Sequence, residues 1–161
     1  MTIQNAIDEV NNLKPNLYGL PEKIKWLSRL DRRIFEEVLM THWLSEQEKQ
    51  PFLPEEELRP GPEEDSAYEI ALDLPRRHRR RHPPEKLEFK EYTEADLDRE
   101  LIVKEPHDDI YKYWLSAQID QNNMEFMSFN NSNAVFESIY SSYRNAFNRT
   151  HRPKGRRKIY Y

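Results

Sequence analysis

The sequence predicts a mainly α fold: a small helical bundle with a long polar insertion, a minor β-hairpin and an extended C-terminal arm. Three observations carry that expectation. Apolar residues recur at helical spacing in two blocks, roughly 1–44 and 108–147, and are sparse between them. A proline-rich acidic run and an arginine run separate the blocks. The segment Arg149 to Tyr161 holds six Lys or Arg, no acidic residue and no apolar period able to fold it alone. In 161 residues, 37% hydrophobic against 34% charged leaves material for one small core. The expected organisation is a helical domain over 1–147, with 46–86 as a charged insertion and 86–103 as a hairpin, followed by an arm over 148–161.

The first helix is expected over Thr2 to Leu13, capped by Thr2, with Ile3, Ala6, Ile7 and Val10 as its stripe. Pro15 pushes Lys14 out of helical geometry and ends it. The second helix opens at Pro21. Leu20, Ile24, Leu27, Ile34 and Val38 recur at spacings of three, four and seven, broadened by Trp26 and Leu30. Asp31 falls inside that stripe. A buried unpaired carboxylate is costly, so it needs a partner, and an Arg or another helix end is expected.

From Ser45 to Pro62 the period fails and an exposed loop is expected. Ser66 to Leu74 reads as a short helix or strand, and Arg76 to Pro84 as irregular and exposed. Lys86 to Tyr92 alternates apolar and charged residues, and Leu101-Ile-Val103 is a second short apolar run. Together they predict the hairpin. A third helix is expected from Pro106-His-Asp-Asp109, with Ile110, Tyr113, Trp114, Ala117, Met124 and Met127 in period. The fourth is expected after Asn130-Asn131, with Asn131 or Ser132 as cap and Val135, Phe136, Ile139, Tyr140, Tyr143 and Phe147 facing the core.

The net charge of −4 conceals strong local asymmetry. Glu46 to Asp73 holds ten acidic and two basic residues, whereas Arg76-Arg-His-Arg-Arg-Arg-His82 holds no acid. The basic patch Arg76, Arg77, Arg79, Arg80 and Arg81 is therefore a candidate for facing another subunit or DNA. No cysteine is present, so neither a disulfide frame nor thiolate chemistry is available. The N-terminus lacks a basic region followed by an apolar run, and no stretch approaches the roughly 20 apolar residues of a membrane span, so no signal peptide and no membrane partner are expected.

Catalytic patterns are sparse. Glycines at 19, 61 and 155 form no phosphate-binding loop, and no nucleophile elbow or zinc motif appears. His78 and His82 have metal-ligand spacing, but five arginines surround them and repel a cation. Asp108-Asp109 fits helix-start acids better than an acid–base pair. Glu88 and Lys90 resemble a nuclease carboxylate–lysine pair, but the residues upstream are Arg and Pro where such sites carry acids. The expectation is a non-enzyme with no cofactor and no metal.

The arm keeps two readings open. Its cations suit phosphates, and equally an acidic protein surface while Ile159, Tyr160 and Tyr161 fill apolar pockets. The aromatic ending favours the protein partner. The candidate arm residues are Arg149, His151, Arg152, Lys154, Arg156, Arg157, Lys158, Ile159, Tyr160 and Tyr161.

Three segments resemble the small head–tail connector (head-completion adaptor) proteins of tailed bacteriophages, especially those of phages and prophages of Gram-positive bacteria. They are Glu22-Lys-Ile-Lys-Trp-Leu-Ser-Arg-Leu-Asp31, Asp108-Asp-Ile-Tyr-Lys-Tyr-Trp-Leu-Ser-Ala-Gln-Ile-Asp120 and Tyr140-Ser-Ser-Tyr-Arg-Asn-Ala-Phe-Asn-Arg-Thr-His-Arg-Pro-Lys-Gly155. The resemblance covers about 1–44 and 100–158. The stretch 46–86 departs from it, since the family's connection there is usually shorter. The resemblance implies a structural adaptor of the virion neck, assembled in the host cytoplasm as a twelve-fold ring of identical subunits. Its partners would be the portal protein, bound through the arm, and another neck or tail-completion protein. DNA in the lumen would meet basic groups without being read for sequence. The alternative function is a nucleic-acid-binding regulator using the Arg-rich segment and the tail.

Overall fold

The computed structural model describes residues 1–54 and 86–154. The chain divides into two compact units, Met1–Leu44 with Glu91–Tyr161, and Ser45–Lys90. The fold is mainly α. Among the described residues it contains five α-helices and no strand, only two isolated bridges.

In the larger unit, α1 (Ile3–Leu13) starts where Thr2 Oγ1 accepts from Asn5 N–H at 3.2 Å. It buries Ile3, Ala6, Ile7 and Val10, the stripe its spacing predicts. Each of the larger aliphatics contributes roughly 1.5–3 kcal/mol on burial. It ends at Lys14, whose extended backbone precedes Pro15. α2 (Leu20–Ile34) opens with Glu22 Oε2 accepting from Gly19 N–H at 3.1 Å, half of a capping box, because glycine has no side chain to reciprocate. It buries Ile24, Trp26, Leu27, Leu30 and Ile34. The helix then widens into one π turn, Phe35–Leu39, where Met40 N–H donates to the Phe35 carbonyl at 2.9 Å.

The expected hairpin over 86–103 does not form. The carbonyls of Leu97 and Arg99 accept from Gln4 N–H (3.0 Å) and Ile3 N–H (3.2 Å), and Leu101 N–H donates to the Met1 carbonyl at 3.1 Å. This short segment therefore satisfies donors in the first turn of α1 that have no partner within the helix. At the other end of the expected hairpin, Tyr92 N–H is taken by Ser28 Oγ at 3.1 Å. The amides of Glu88, Tyr92, Leu101, Ile102 and Val103, on the two runs expected to pair, are all bonded elsewhere.

α4 (Asp109–Asn122) is the central helix, packing on α1, α2 and α5. It buries Ile110, Tyr111, Leu115, Ala117 and Ile119, on more than one face, while Tyr113 and Trp114 are half-buried. α5 (Phe126–Thr150) returns antiparallel along it. The turn between them falls at Asn123–Glu125, earlier than the expected Asn130-Asn131 break. Glu125 N–H donates to the Asp120 carbonyl (2.9 Å) and Met124 N–H to the Gln121 carbonyl (3.1 Å). With Met124 at φ 59°, this is a Schellman ending built without the usual glycine. Asn130, Asn131 and Ser132 are consequently helical, and Met124 and Met127 are exposed rather than core. Of the face expected for the last helix, Phe136 and Tyr140 are buried. Val135 is exposed, and Ile139, Tyr143 and Phe147 are half-buried.

Two buried carboxylates brace the unit. Asp31 is fully buried, and its partners are two tyrosines and a backbone amide rather than an arginine. Tyr92 Oη donates at 2.5 Å, Tyr111 Oη at 2.6 Å and Ile102 N–H at 3.3 Å. Tyr111 Oη in turn accepts from Val103 N–H at 2.8 Å. Burial pushes the Asp31 carboxyl up to about 6, although the hydrogen bonds from Tyr111, Tyr92 and Ile102 oppose that rise. Asp120, also fully buried, meets the Lys14 ammonium and accepts from Ser132 Oγ at 3.0 Å.

In the smaller unit, α3 (Glu46–Lys49) and a 3₁₀ turn over Gln50–Phe52 stand where a loop is expected. Ser45 N–H and Oγ both donate to Glu48 Oε2, at 2.8 and 2.7 Å. Ser45-x-x-Glu48 is a capping-box signal that precedes no apolar run, which is why the sequence pattern conceals it. Glu88 N–H donates to the Phe52 carbonyl at 2.8 Å.

Candidate functional site

The residues expected in the arm begin inside a helix. Asn148, Arg149 and Thr150 complete α5, and the extended chain starts at His151. α5 reaches that far because each turn of its end carries an aromatic ring at i,i+4 spacing. Tyr143 and Phe147 lie 6.0 Å apart, and the Phe147 and His151 rings stack at 3.8 Å and 6°. His42 meets Phe147 edge-on at 5.3 Å and 85°. His42 is itself buried, with Nδ1 donating to the Val38 carbonyl at 2.8 Å. The carbonyl can only accept, so Nδ1 carries the hydrogen.

Beyond His151 the chain is pinned to the loop that follows the π turn. Trp43 N–H donates to the Arg152 carbonyl at 2.8 Å, and Lys154 N–H to the Thr41 carbonyl at 2.9 Å, framing an antiparallel bridge between His42 and Pro153. The root of the arm therefore leaves the body at a fixed place and in a fixed direction. Beside it, Trp43 is 60% exposed, with the Lys154 ammonium 5.9 Å over one face of its ring. Arg149, Arg152 and Lys154 are exposed, and among the described residues no carboxylate pairs with them.

One turn below lies a tighter cluster. Tyr140 Oη donates to Glu37 Oε2 at 2.6 Å, Arg33 Nε donates to Glu37 Oε1 at 3.1 Å, and Arg33 lies 4.7 Å over the Tyr140 ring. The Tyr140 hydrogen bond holds the Glu37 carboxyl below its ordinary range, and burial pushes the Tyr140 hydroxyl up to about 12.

The far end of α5 has a different chemistry. Leu13, Leu17, Met124, Phe126 and Met127 are all exposed there, Leu17 completely. Tyr18 Oη donating to Asn123 Oδ1 at 2.8 Å, and Lys14 paired with Glu125 at 3.6 Å, hold the two loops side by side. An open groove of about 320 Å³ also runs between α2 and residues 91–94. Lys25, Arg29 and Arg32 face Glu91 and Glu94 across it, and Arg32 pairs with Glu91 at 2.8 Å.

The structure brings Arg149, His151, Arg152 and Lys154 together at the arm root. Arg156, Arg157, Lys158, Ile159, Tyr160 and Tyr161 lie outside the described residues, as do Arg76, Arg77, Arg79, Arg80 and Arg81 and the histidines His78 and His82. Asp108 makes no side-chain cap, and Asp109 pairs with Lys112 at 2.6 Å. Glu88 pairs with Lys86 at 2.5 Å. Among the described residues no group of three or more His, Cys, Asp or Glu is arranged to hold a metal, and no helix is long and apolar enough to cross a membrane. Sequence reasoning missed Thr41, His42 and Trp43. Their pairing with 152–154 joins distant parts of the chain, and no local pattern announces it. Comparison with family models, with curated proteins and with solved structures found no match.

Proposed function

We propose that the chain is a structural adaptor of a tailed-phage neck. It docks on the portal through its C-terminal arm, assembles there as a ring of identical subunits, extends the DNA channel and presents a surface to the next neck or tail protein. The observation that carries this reading is the clamped arm root. An acid-free, cation-rich segment is launched from a braced body at one defined point, through Trp43 N–H to Arg152 and Lys154 N–H to Thr41. A segment that cannot bury its own apolar surface gains order by docking, and repeated copies in a ring offset the ordering cost.

Two further observations support it. The segments that carry the family resemblance lie on α2, on α4 and on the end of α5 with the arm root, and the first two are joined by the Tyr111–Asp31 bond. The opposite ends of α5 also differ: 25 residues, about 37 Å of helix, separate an exposed apolar tip from the cationic root. An adaptor between two neighbours needs two such unlike surfaces.

The test is co-sedimentation of the purified protein with portal rings, beside its titration with duplex DNA over a range of salt. Co-sedimentation that is lost when Arg156, Arg157 and Lys158 are all reversed to Glu is the expected result. Indifference to portals, with DNA binding that falls steeply with salt, is the result of a nucleic-acid-binding regulator and contradicts the adaptor.

A further inference from the structure

Resting on the adaptor reading, we propose that the docking site is composite: Trp43 of the body, with Arg152 and Lys154 of the arm root, forms one face that receives an acidic segment of a protein partner. Tryptophan is highly buried on average, and it is enriched at protein interfaces, where its large ring buries apolar area. Trp43 is 60% exposed, yet its backbone is fixed by the bond from its N–H to Arg152. Its side chain stands beside a chain segment whose direction is set by a second bond, Lys154 N–H to Thr41. The face is pre-organised, and binding to it costs little backbone ordering.

The charge of the face selects its partner. Lys154 lies over the ring, Arg152 is exposed and bonded through its carbonyl to Trp43 N–H, Arg149 occupies the last turn of α5, and no described carboxylate pairs with them. Carboxylates of a partner would pair with these cations while an apolar side chain lies against the indole. Aromatic and arginine anchors of this kind dominate the energetics of protein interfaces. A stacked nucleic-acid base would have only one open face of Trp43, because Lys154 lies over the other, and a single-stranded oligonucleotide probe tests that alternative.

The experiment measures binding of full-length variants to two probes, purified portal rings and a 20-base single-stranded oligonucleotide. The variants are Trp43→Ala, Lys154→Glu and the triple reversal of Arg156, Arg157 and Lys158 to Glu. Both Trp43→Ala and Lys154→Glu are expected to weaken portal binding about tenfold or more with unchanged helical circular dichroism. Normal portal binding by these two, with loss only in the triple reversal, overturns the composite face and leaves the adaptor intact. Normal portal binding by all three overturns the composite face and docking through the arm, and absence of portal binding by the parent chain overturns the adaptor. Loss of oligonucleotide binding in Trp43→Ala, with portal binding untouched, overturns the acidic-protein partner. Lys154→Glu keeps the face testable if Trp43→Ala disturbs folding.

Discussion

Asp31 and Trp43 stand on either side of the same π turn, and their surroundings are opposite. Around Asp31 every polar group is consumed inside the body: two tyrosine hydroxyls and a backbone amide converge on one carboxylate, and none of it reaches solvent. At the arm root the clamp between 41–43 and 152–154 is made by backbone groups, and the side chains of Trp43, Arg152 and Lys154 face outward. The difference separates two uses of polar chemistry. Satisfied internally, it joins α2, the 101–103 segment and α4 into one unit. Left exposed on a fixed backbone, it is available to a partner.

The largest effect that sharpens this comparison is expected from Asp31→Ala. It strands Tyr92 Oη, Tyr111 Oη and Ile102 N–H in the interior and opens a cavity, costing roughly 3–5 kcal/mol in urea unfolding. A loss below about 1 kcal/mol would contradict the role of Asp31 as a brace.

A second test uses pH. The carboxyl of Asp31 is raised from 3.8 to about 6, so the fold holds its proton more tightly than the unfolded chain does. Its contribution to stability is full below about pH 4 and is lost as pH rises through about 6, a span of roughly 3 kcal/mol. Glu37 and Asp96 have the opposite sign, being lowered by hydrogen bonds, and they lose stability as pH falls through their range. Asp31→Asn isolates the Asp31 contribution. The parent protein is expected to gain stability relative to this variant between pH 7 and pH 4, and parallel pH profiles would refute the assignment.

Smaller is the effect of Met124→Gly. It relieves a left-handed residue at the Schellman turn and is expected to stabilise by roughly 0.5–1 kcal/mol, read as a higher midpoint in thermal unfolding. Destabilisation would mean that the exposed Met124 side chain packs more than its 76% exposure indicates. Smallest of all, Trp43→Ala is expected to change unfolding free energy by less than about 0.5 kcal/mol, because the ring it removes is mostly solvated. A large loss there would erase the contrast between brace and docking face.

The sequence was legible where one helix decides its own pattern. The stripes of α1 and α2, and the need of Asp31 for a partner, follow from spacing and from the cost of burying charge. The partners did not follow, because Tyr92 and Tyr111 arrive from distant segments. The α4–α5 turn was hidden because methionine stands where a Schellman ending usually shows glycine. The hairpin failed because alternation reports which side chains are half-buried, not which backbone groups pair. Residues 97–101 spend theirs on the start of α1. At the candidate site the cations were legible, whereas the Phe147–His151 stack at the end of α5 and the clamp onto 41–43 were not, since the apolar period ends at Phe147 and leaves His151 to the extended arm.

In the adaptor reading the arm, launched from its clamped root, docks this body on a portal. Electron microscopy of portal rings mixed with the full chain, and with a chain ending at Lys154 whose melting is first shown to match, tests it most directly. The adaptor account predicts an added ring of density on the portal with the full chain and bare portals with the shortened one. Equal decoration by both chains, or by neither, would contradict it.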